Sequence, residues 1–326
     1  TLWRHPGRLA GPMPAGLRAQ DARILAAGPL SFGRGPVWLE GDLLVTVYAP
    51  LDKTRVSCFL ARLDGRSGAP RWIRFIAQGA PEALDPRFDR LAAMPFPRLR
   101  GCPILLHRGA AFVATELGTV HALDAWRGRH LWAFRVARAY PEPGRERGFI
   151  RSRLALDGGR LLAALRESEW LYPFRPFPAP GGTPRLAPPL PRRGLTLLLG
   201  VQGRHAYFTA DLEGSFCLER LTLPAGASYQ SPPLQSGEYF AAPPLLAGNL
   251  ILFATARRGR PDRDPVDGSL YRVDLERDLY LELDYRSGSP FSLLGPILPW
   301  RKGLVTAGWQ GFGLLRPPSA GGPTMK

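Results

Sequence analysis

Six times along this chain an apolar, β-prone run meets a glycine-bearing tight turn and is followed at once by a second such run. The segments are 37–47, 104–115, 154–163, 197–208, 244–253 and 297–307. A tight turn between two such runs needs a residue at positive φ, which glycine supplies at no steric cost, so each segment predicts a β-hairpin. The marker glycines Gly41, Gly109, Gly159, Gly203, Gly248 and Gly303 are 68, 50, 44, 45 and 55 residues apart. A unit of four antiparallel strands takes about 40–50 residues, and the wider gaps have room for loop insertions. Composition agrees: 37 Gly and 35 Pro are scattered between apolar runs rather than gathered in a tail. Such punctuation suits many short strands and does not suit long helices. With 326 residues the chain is long enough to bury a substantial core.

A second half-repeat follows several hairpins. Residues 58–64 (CFLARLD) lead through Gly68 to Trp72, and residues 118–124 (GTVHALD) lead through Gly128 to Trp132. In both, the step from Asp64 or Asp124 to the glycine is four residues and to the tryptophan eight. Gly268 to Asp274 repeats the first half without a tryptophan, Gly214 to Glu219 is a weaker match, and Gly311 to Leu315 ends similarly. Alternation places one face of this strand in the core. The Asp can cap a turn by accepting backbone N–H bonds, and the glycine supplies a left-handed position. The Trp opens the outer strand, where its apolar surface can fill space against a neighbouring sheet, and Trp309 is a third candidate for that place.

The unit from Gly118 to Trp132, with Asp124, Gly128 and Trp132, resembles the pyrroloquinoline-quinone (PQQ) type propeller repeat, which runs Gly-x-apolar-x-Ala-Leu-Asp, then a turn Gly, then Trp. Such repeats occur in quinoprotein dehydrogenases and in non-enzymatic propellers, including the outer-membrane assembly lipoprotein of Gram-negative bacteria. Over Gly28 to Arg316 the resemblance implies an all-β β-propeller of four-stranded antiparallel blades, six to eight in number with seven favoured, its tryptophans docking between blades. It places the propeller at 28–316 and a flexible tail at 317–326. Residues 1–27 form an N-terminal segment, with Leu2-Trp3-Arg4 as a candidate ring-closing outer strand. The proline-rich stretch from Trp170 to Arg193 is expected to be a long loop insertion, with a domain linker as the rival reading.

Chemistry is sparse. Quinoprotein dehydrogenases resemble one another in a vicinal Cys-Cys over the quinone, and here Cys58, Cys102 and Cys217 are far apart. No CxxC pair, GxSxG elbow, Walker loop or dinucleotide fingerprint occurs. None of His5, His107, His121, His130 and His205 has metal-ligand spacing to another ligand type. Asp262 to Gly268 is similar to a calcium loop, but the spacing is one residue too long and Pro265 stiffens it, so a polar hairpin loop is favoured. The expectation is therefore no catalytic residue, cofactor or metal.

The formal net charge is +16. Only Lys53, Lys302 and Lys326 are lysines, so the other 40 of the 43 basic residues are Arg, dispersed without a run of five. Dispersion favours a solvated surface, with nucleic acid or an anionic membrane surface as the alternative partner. No apolar stretch reaches the length of a membrane span. The chain opens at Thr1 rather than Met, so targeting is not readable; the propeller resemblance implies a bacterial cell envelope or periplasm. The expected role is a non-catalytic scaffold for protein partners in a larger assembly. Trp170, Tyr172, Phe174 and Phe177 are the candidate contact residues, since exposed aromatics among prolines dock with little loss of entropy.

Overall fold

Five of the six marker glycines, Gly41, Gly109, Gly159, Gly203 and Gly248, hold φ between 55 and 88°, the left-handed region that a β-carbon disfavours. Each closes an antiparallel hairpin. The exception is Gly303, which opens a strand instead of sitting in the turn. The structure is a computed structural model. It describes residues 9–315 apart from 80–103, 137–151, 178–183, 258–267, 288–297 and gaps of one or two residues, and beyond 279 the backbone alone.

The chain divides into two compact units, Thr1–Arg192 and Arg193–Lys326. In the first, helix α1 (Ala19–Ala27) precedes a sheet of β1 (Ser31–Phe32), β2 (Val37–Leu39), β3 (Asp42–Pro50), β4 (Val56–Asp64) and β5 (Pro70–Gly79). Its order is β1-β3-β4-β5, and β2 also pairs with β3, so β1 and β2 together make one broken first strand. The second sheet runs β6 (Ile104–His107), β7 (Ala110–Ala114), β8 (Thr119–Asp124), β9 (His130–Arg135). The third runs β10 (Arg153–Asp157), β11 (Arg160–Ala164), β12 (Trp170–Arg175), with a fourth strand split into β13 (Arg185–Leu186) and β14 (Leu190–Pro191), both on β12.

The second unit repeats the scheme. One sheet is β15 (Leu195–Gln202), β16 (His205–Leu212), β17 (Ser215–Thr222) and β18 (Ala227–Gln230). In the next, β19 (Glu238–Phe240) and β20 (Leu245–Ala247) pair with β21 (Leu250–Arg257), followed by β22 (Gly268–Asp274) and β23 (Tyr280–Ser287). The last described sheet has three strands, β24 (Leu298–Trp300), β25 (Gly303–Gly308) and β26 (Gly311–Leu315). Consecutive antiparallel sheets of this four-stranded plan are propeller blades, and the fold class is all-β, of the β-propeller type.

Alternation gives each blade two apolar faces. In the first blade Leu44, Tyr48, Cys58, Leu60, Trp72 and Ile76 face the second blade, where Ala111, Val113 and Leu123 meet them. Its other face, with Val45, Val47, Phe59, Leu63 and Ile73, is covered by Leu25 and Leu30. Helix α1 is an element the sequence reading did not give the N-terminal segment: AQDARILAA is rich in strong helix formers, and Leu25 is buried. Leu2-Trp3-Arg4 lies outside the described residues, as do the whole tail at 317–326 and residues 262–267.

The Pro-rich stretch also departs from expectation. Trp170–Arg175 is not a loop but the third strand of its blade, pairing Leu161 with Phe174 and Ala164 with Leu171. Pro173 is tolerated because its carbonyl faces outward, accepting the Ala187 N–H at 2.9 Å. In an antiparallel strand a residue's N–H and C=O share a side, so the donor that proline lacks belongs to the outer edge, between β14 and β13. No bond to β11 is forfeited.

Candidate functional site

The polar side chains of the repeat build the blade ends. After β4 the Asp64 carboxylate accepts the backbone N–H groups of Arg66 and Ser67 at 3.1 and 2.8 Å, and the Gly68 N–H closes on the Asp64 carbonyl at 2.7 Å. After β8 Asp124 does the same for Trp126 and Arg127 at 2.9 and 3.0 Å, and Gly128 closes on its carbonyl at 2.8 Å. Gly68 and Gly128 have φ of 73 and 65°. The N–H of Ser67, then its hydroxyl, holds the Asp64 carboxyl below the usual carboxylate range.

The tryptophans join blades. Trp72 is buried and its Nε1 donates to the Trp126 carbonyl of the second blade at 2.9 Å. Trp132 is buried and its Nε1 donates to the Pro176 carbonyl of the third blade at 2.9 Å. Its ring stacks on Phe174 at 5.8 Å between centroids and 24° between planes. Trp72 and Trp132 thus hold equivalent places one blade apart. Trp309 lies outside the described residues.

Gly268 opens β22 and Asp274 ends it. The Asp274 carboxylate accepts the Glu276 N–H at 2.9 Å, and the next residue, Leu275, bonds the Asn249 carbonyl at 2.9 Å. The equivalent bonds in the first unit run from Gly65 to Gly41 and from Ala125 to Gly109. The fourth blade has the same turn with other residues: Leu223 bonds Arg204, and Gly226, at φ 73°, closes on the Thr222 carbonyl. Threonine at the aspartate position hid this turn from the sequence reading.

The four candidate contact residues separate. Tyr172 and Phe174 are buried in the core between the second and third blades, which removes them from any contact surface. Trp170 is 46% exposed and Phe177 37% exposed. Sequence reasoning missed Trp38, 66% exposed, and Trp126, 38% exposed. Trp126 had a signal, since it stands two residues past a turn-capping Asp. It also missed the ion-pair cluster at the first blade's end, where buried Asp42 receives Arg62 at 2.6 Å and Arg71 at 2.9 Å. Arg62 also donates to the Trp126 carbonyl at 3.0 Å and lies 4.7 Å over the Trp126 ring.

Among the described residues the two cysteines and the buried histidine are part of the blade packing. Burial pushes the Cys58 thiol up to about 12. Burial, then the charges of Glu219 and Asp211, pushes Cys217 up to about 11, so both stay protonated and weakly nucleophilic at neutral pH. His121 is buried and pushed down to about 3 by burial, then by His130 beside it at 5.9 Å. Among the described residues no group of three or more His, Cys, Asp or Glu is placed to hold a metal ion. No described helix is long and apolar enough to cross a membrane.

No family model matches this chain, and no curated protein matches it. Among solved structures it is similar to BamB from Moraxella catarrhalis, at 14% identity over 87% of this chain and 96% of that one, with a TM-score of 0.43. It is similar to the Pan2 WD40 domain of Neurospora crassa, at 12% identity over 90% and 81%, with a TM-score of 0.44. A chain of a mitotic checkpoint complex matches at 11% identity over 86% and 83%, with a TM-score of 0.45.

Proposed function

We propose that this chain is a non-catalytic β-propeller that serves as an interaction scaffold for protein partners in a larger assembly. The observation that supports it most is a division of labour at the blade ends. Asp64 and Asp124 cap turns, Trp72 and Trp132 tie one blade to the next, and the two described cysteines are buried thiols. What faces solvent there is aromatic and cationic: Trp38, Trp126 and Phe177 among exposed arginines. Rigid elements carrying exposed aromatics and arginines are the composition of protein interfaces. The PQQ-like repeat, in its non-catalytic branch, is part of the same proposal, carried by Asp64, Gly68, Trp72, Asp124, Gly128 and Trp132.

The test is affinity purification of the tagged full chain from its native source, with and without nuclease and at two salt concentrations. A protein partner at constant stoichiometry, unaffected by nuclease, is the expected result. Recovery of nucleic acid or anionic lipid alone, lost steeply as salt rises, would move the function to the anionic-surface alternative. Turnover of an alcohol or sugar after reconstitution with quinone and calcium would end the non-catalytic reading.

A further inference from the structure

We infer that the turn end of the first unit docks an extended, acidic polypeptide segment through a row of aromatic side chains, one per blade. This deepens the scaffold reading and rests on it. In a four-stranded meander the turn between strands one and two and the turn between strands three and four lie at the same end. At that end stand Trp38 on β2, Trp126 in the turn after β8, and Phe177 just past β12. The blades bring these ends together. Trp72 and Arg62 of the first blade bond the Trp126 carbonyl, and Arg108 of the second blade lies 5.9 Å from the Phe177 ring.

Charge selects the partner. The carboxylates at this end are largely consumed within the chain: Asp42 by Arg62 and Arg71, Asp64 by Arg71 and two backbone N–H groups, Asp124 by two backbone N–H groups. Of the other described carboxylates here Asp157 is half-buried and Glu40 exposed, whereas Arg66, Arg108 and Arg127 are all exposed at the turns. An acidic partner is attracted and a basic one repelled. Ring geometry separates a peptide from a nucleic-acid strand. Base stacking needs open ring faces, but Trp126 is covered by Arg62 at 4.7 Å, and Phe177 is hemmed by Arg108, by Phe112 at 5.6 Å and by His107 at 5.6 Å. At Trp126 and Phe177 this leaves ring edges, which suit apolar side chains spaced along an extended backbone, and Trp38 alone offers too little for a run of stacked bases.

The experiment is a peptide array probed with the full chain, holding three classes of short peptide: acidic with interspersed Leu and Phe, basic with the same apolar residues, and acidic without them. A labelled oligothymidine is titrated in parallel. Retained members concentrate in the first class. Replacing both exposed indoles, W38A/W126A, lowers the affinity of those members about tenfold or more. R66Q/R127Q weakens it and flattens its salt dependence. Circular dichroism of both variants matches the unaltered chain, since all four side chains are solvent-facing and the Trp126 carbonyl stays in place. No enrichment of the first class, equal retention by the W38A/W126A variant, or tighter binding of oligothymidine overturns the inference. A co-purifying protein partner that the variant retains in full would sink this surface while leaving the scaffold function standing.

Discussion

The indole of Trp72 closes on Gly128 of the neighbouring blade so tightly that a methyl group at residue 128 would lie 2.7 Å from Cδ2 of the ring and 2.8 Å from Cε3. The same glycine holds φ at 65° to complete the Asp124 turn. One residue therefore serves the turn and the seam between blades. Gly128→Ala meets both demands at once: left-handed strain of about 1–2 kcal/mol and an overpacked contact of about 1–3 kcal/mol. Gly109→Ala, at φ 75° with nothing within 4 Å of the added carbon, meets the first alone. Urea midpoints should fall about twice as far for Gly128→Ala. Equal losses would mean the Trp72 seam yields freely.

Trp72 and Trp132 make the same kind of bond with different insurance. The Trp126 carbonyl also receives Arg62 at 3.0 Å, so Trp72→Phe leaves it one donor. Pro176 is buried, and its carbonyl is bonded by Trp132. Trp132→Phe removes the one donor that this carbonyl has among the described residues, which costs about 1–3 kcal/mol, against about 1 kcal/mol for losing one of two bonds. Equilibrium unfolding of the two variants should rank Trp132→Phe as the less stable. The reverse order would show that packing at the first seam outweighs the carbonyl's lost donor.

His121 links stability to pH. Its ring is buried in β8 and touches the Thr119 hydroxyl at 3.0 Å through Nε2, while Nδ1 finds no hydrogen-bond partner among the described residues. The folded imidazole titrates at about 3 rather than 6.5, because burial and then His130 disfavour its charge. Between those values the unfolded chain binds the extra proton. Stability from this group is complete above pH 6.5 and is lost as pH falls toward 3, with a slope approaching about 1.4 kcal/mol per pH unit. His121→Leu should flatten the pH dependence of the urea midpoint across that window. An unchanged slope would assign it to other groups.

How much of this was legible follows from what each blade kept of the repeat. The second blade shows every cue in the chain: Gly109 in the hairpin, Asp124 and Gly128 in the turn, Trp132 on the outer strand. The fourth kept the turn glycine, Gly226, but put Thr222 where the aspartate stands, and a threonine in a strand carries no turn signal of its own. The third has Arg175 at that position and Pro173 inside the strand, so local rules pointed to a loop. Tertiary context reversed them, because the fourth strand is split and the proline falls at the split. Exposure was the other blind spot. Alternation shows which residues share a face, but Trp38 and Phe174 look alike until the neighbouring blade is in place, and one is 66% exposed while the other is 2% exposed.

That contrast yields a decisive pair of substitutions in the third blade. Phe174 stacks on Trp132 and meets Phe134 edge-on at 5.1 Å between centroids, so Phe174→Ala removes a ring from the seam. Truncations of buried Phe cost about 3–5 kcal/mol, and the thermal transition should drop sharply. Trp170 shares that face but stands at the opposite end of the strand, where it is 46% exposed, and Trp170→Ala should cost far less, about 1 kcal/mol or under. Deleting residues 173–191 separates the two architectures further. A plain loop insertion would leave the fold intact, whereas this deletion removes half of β12 with β13 and β14, stripping Trp132 of both Phe174 and the Pro176 carbonyl. Loss of cooperative unfolding in the deletion variant is the expected result. A native-like transition there would return the segment to the surface.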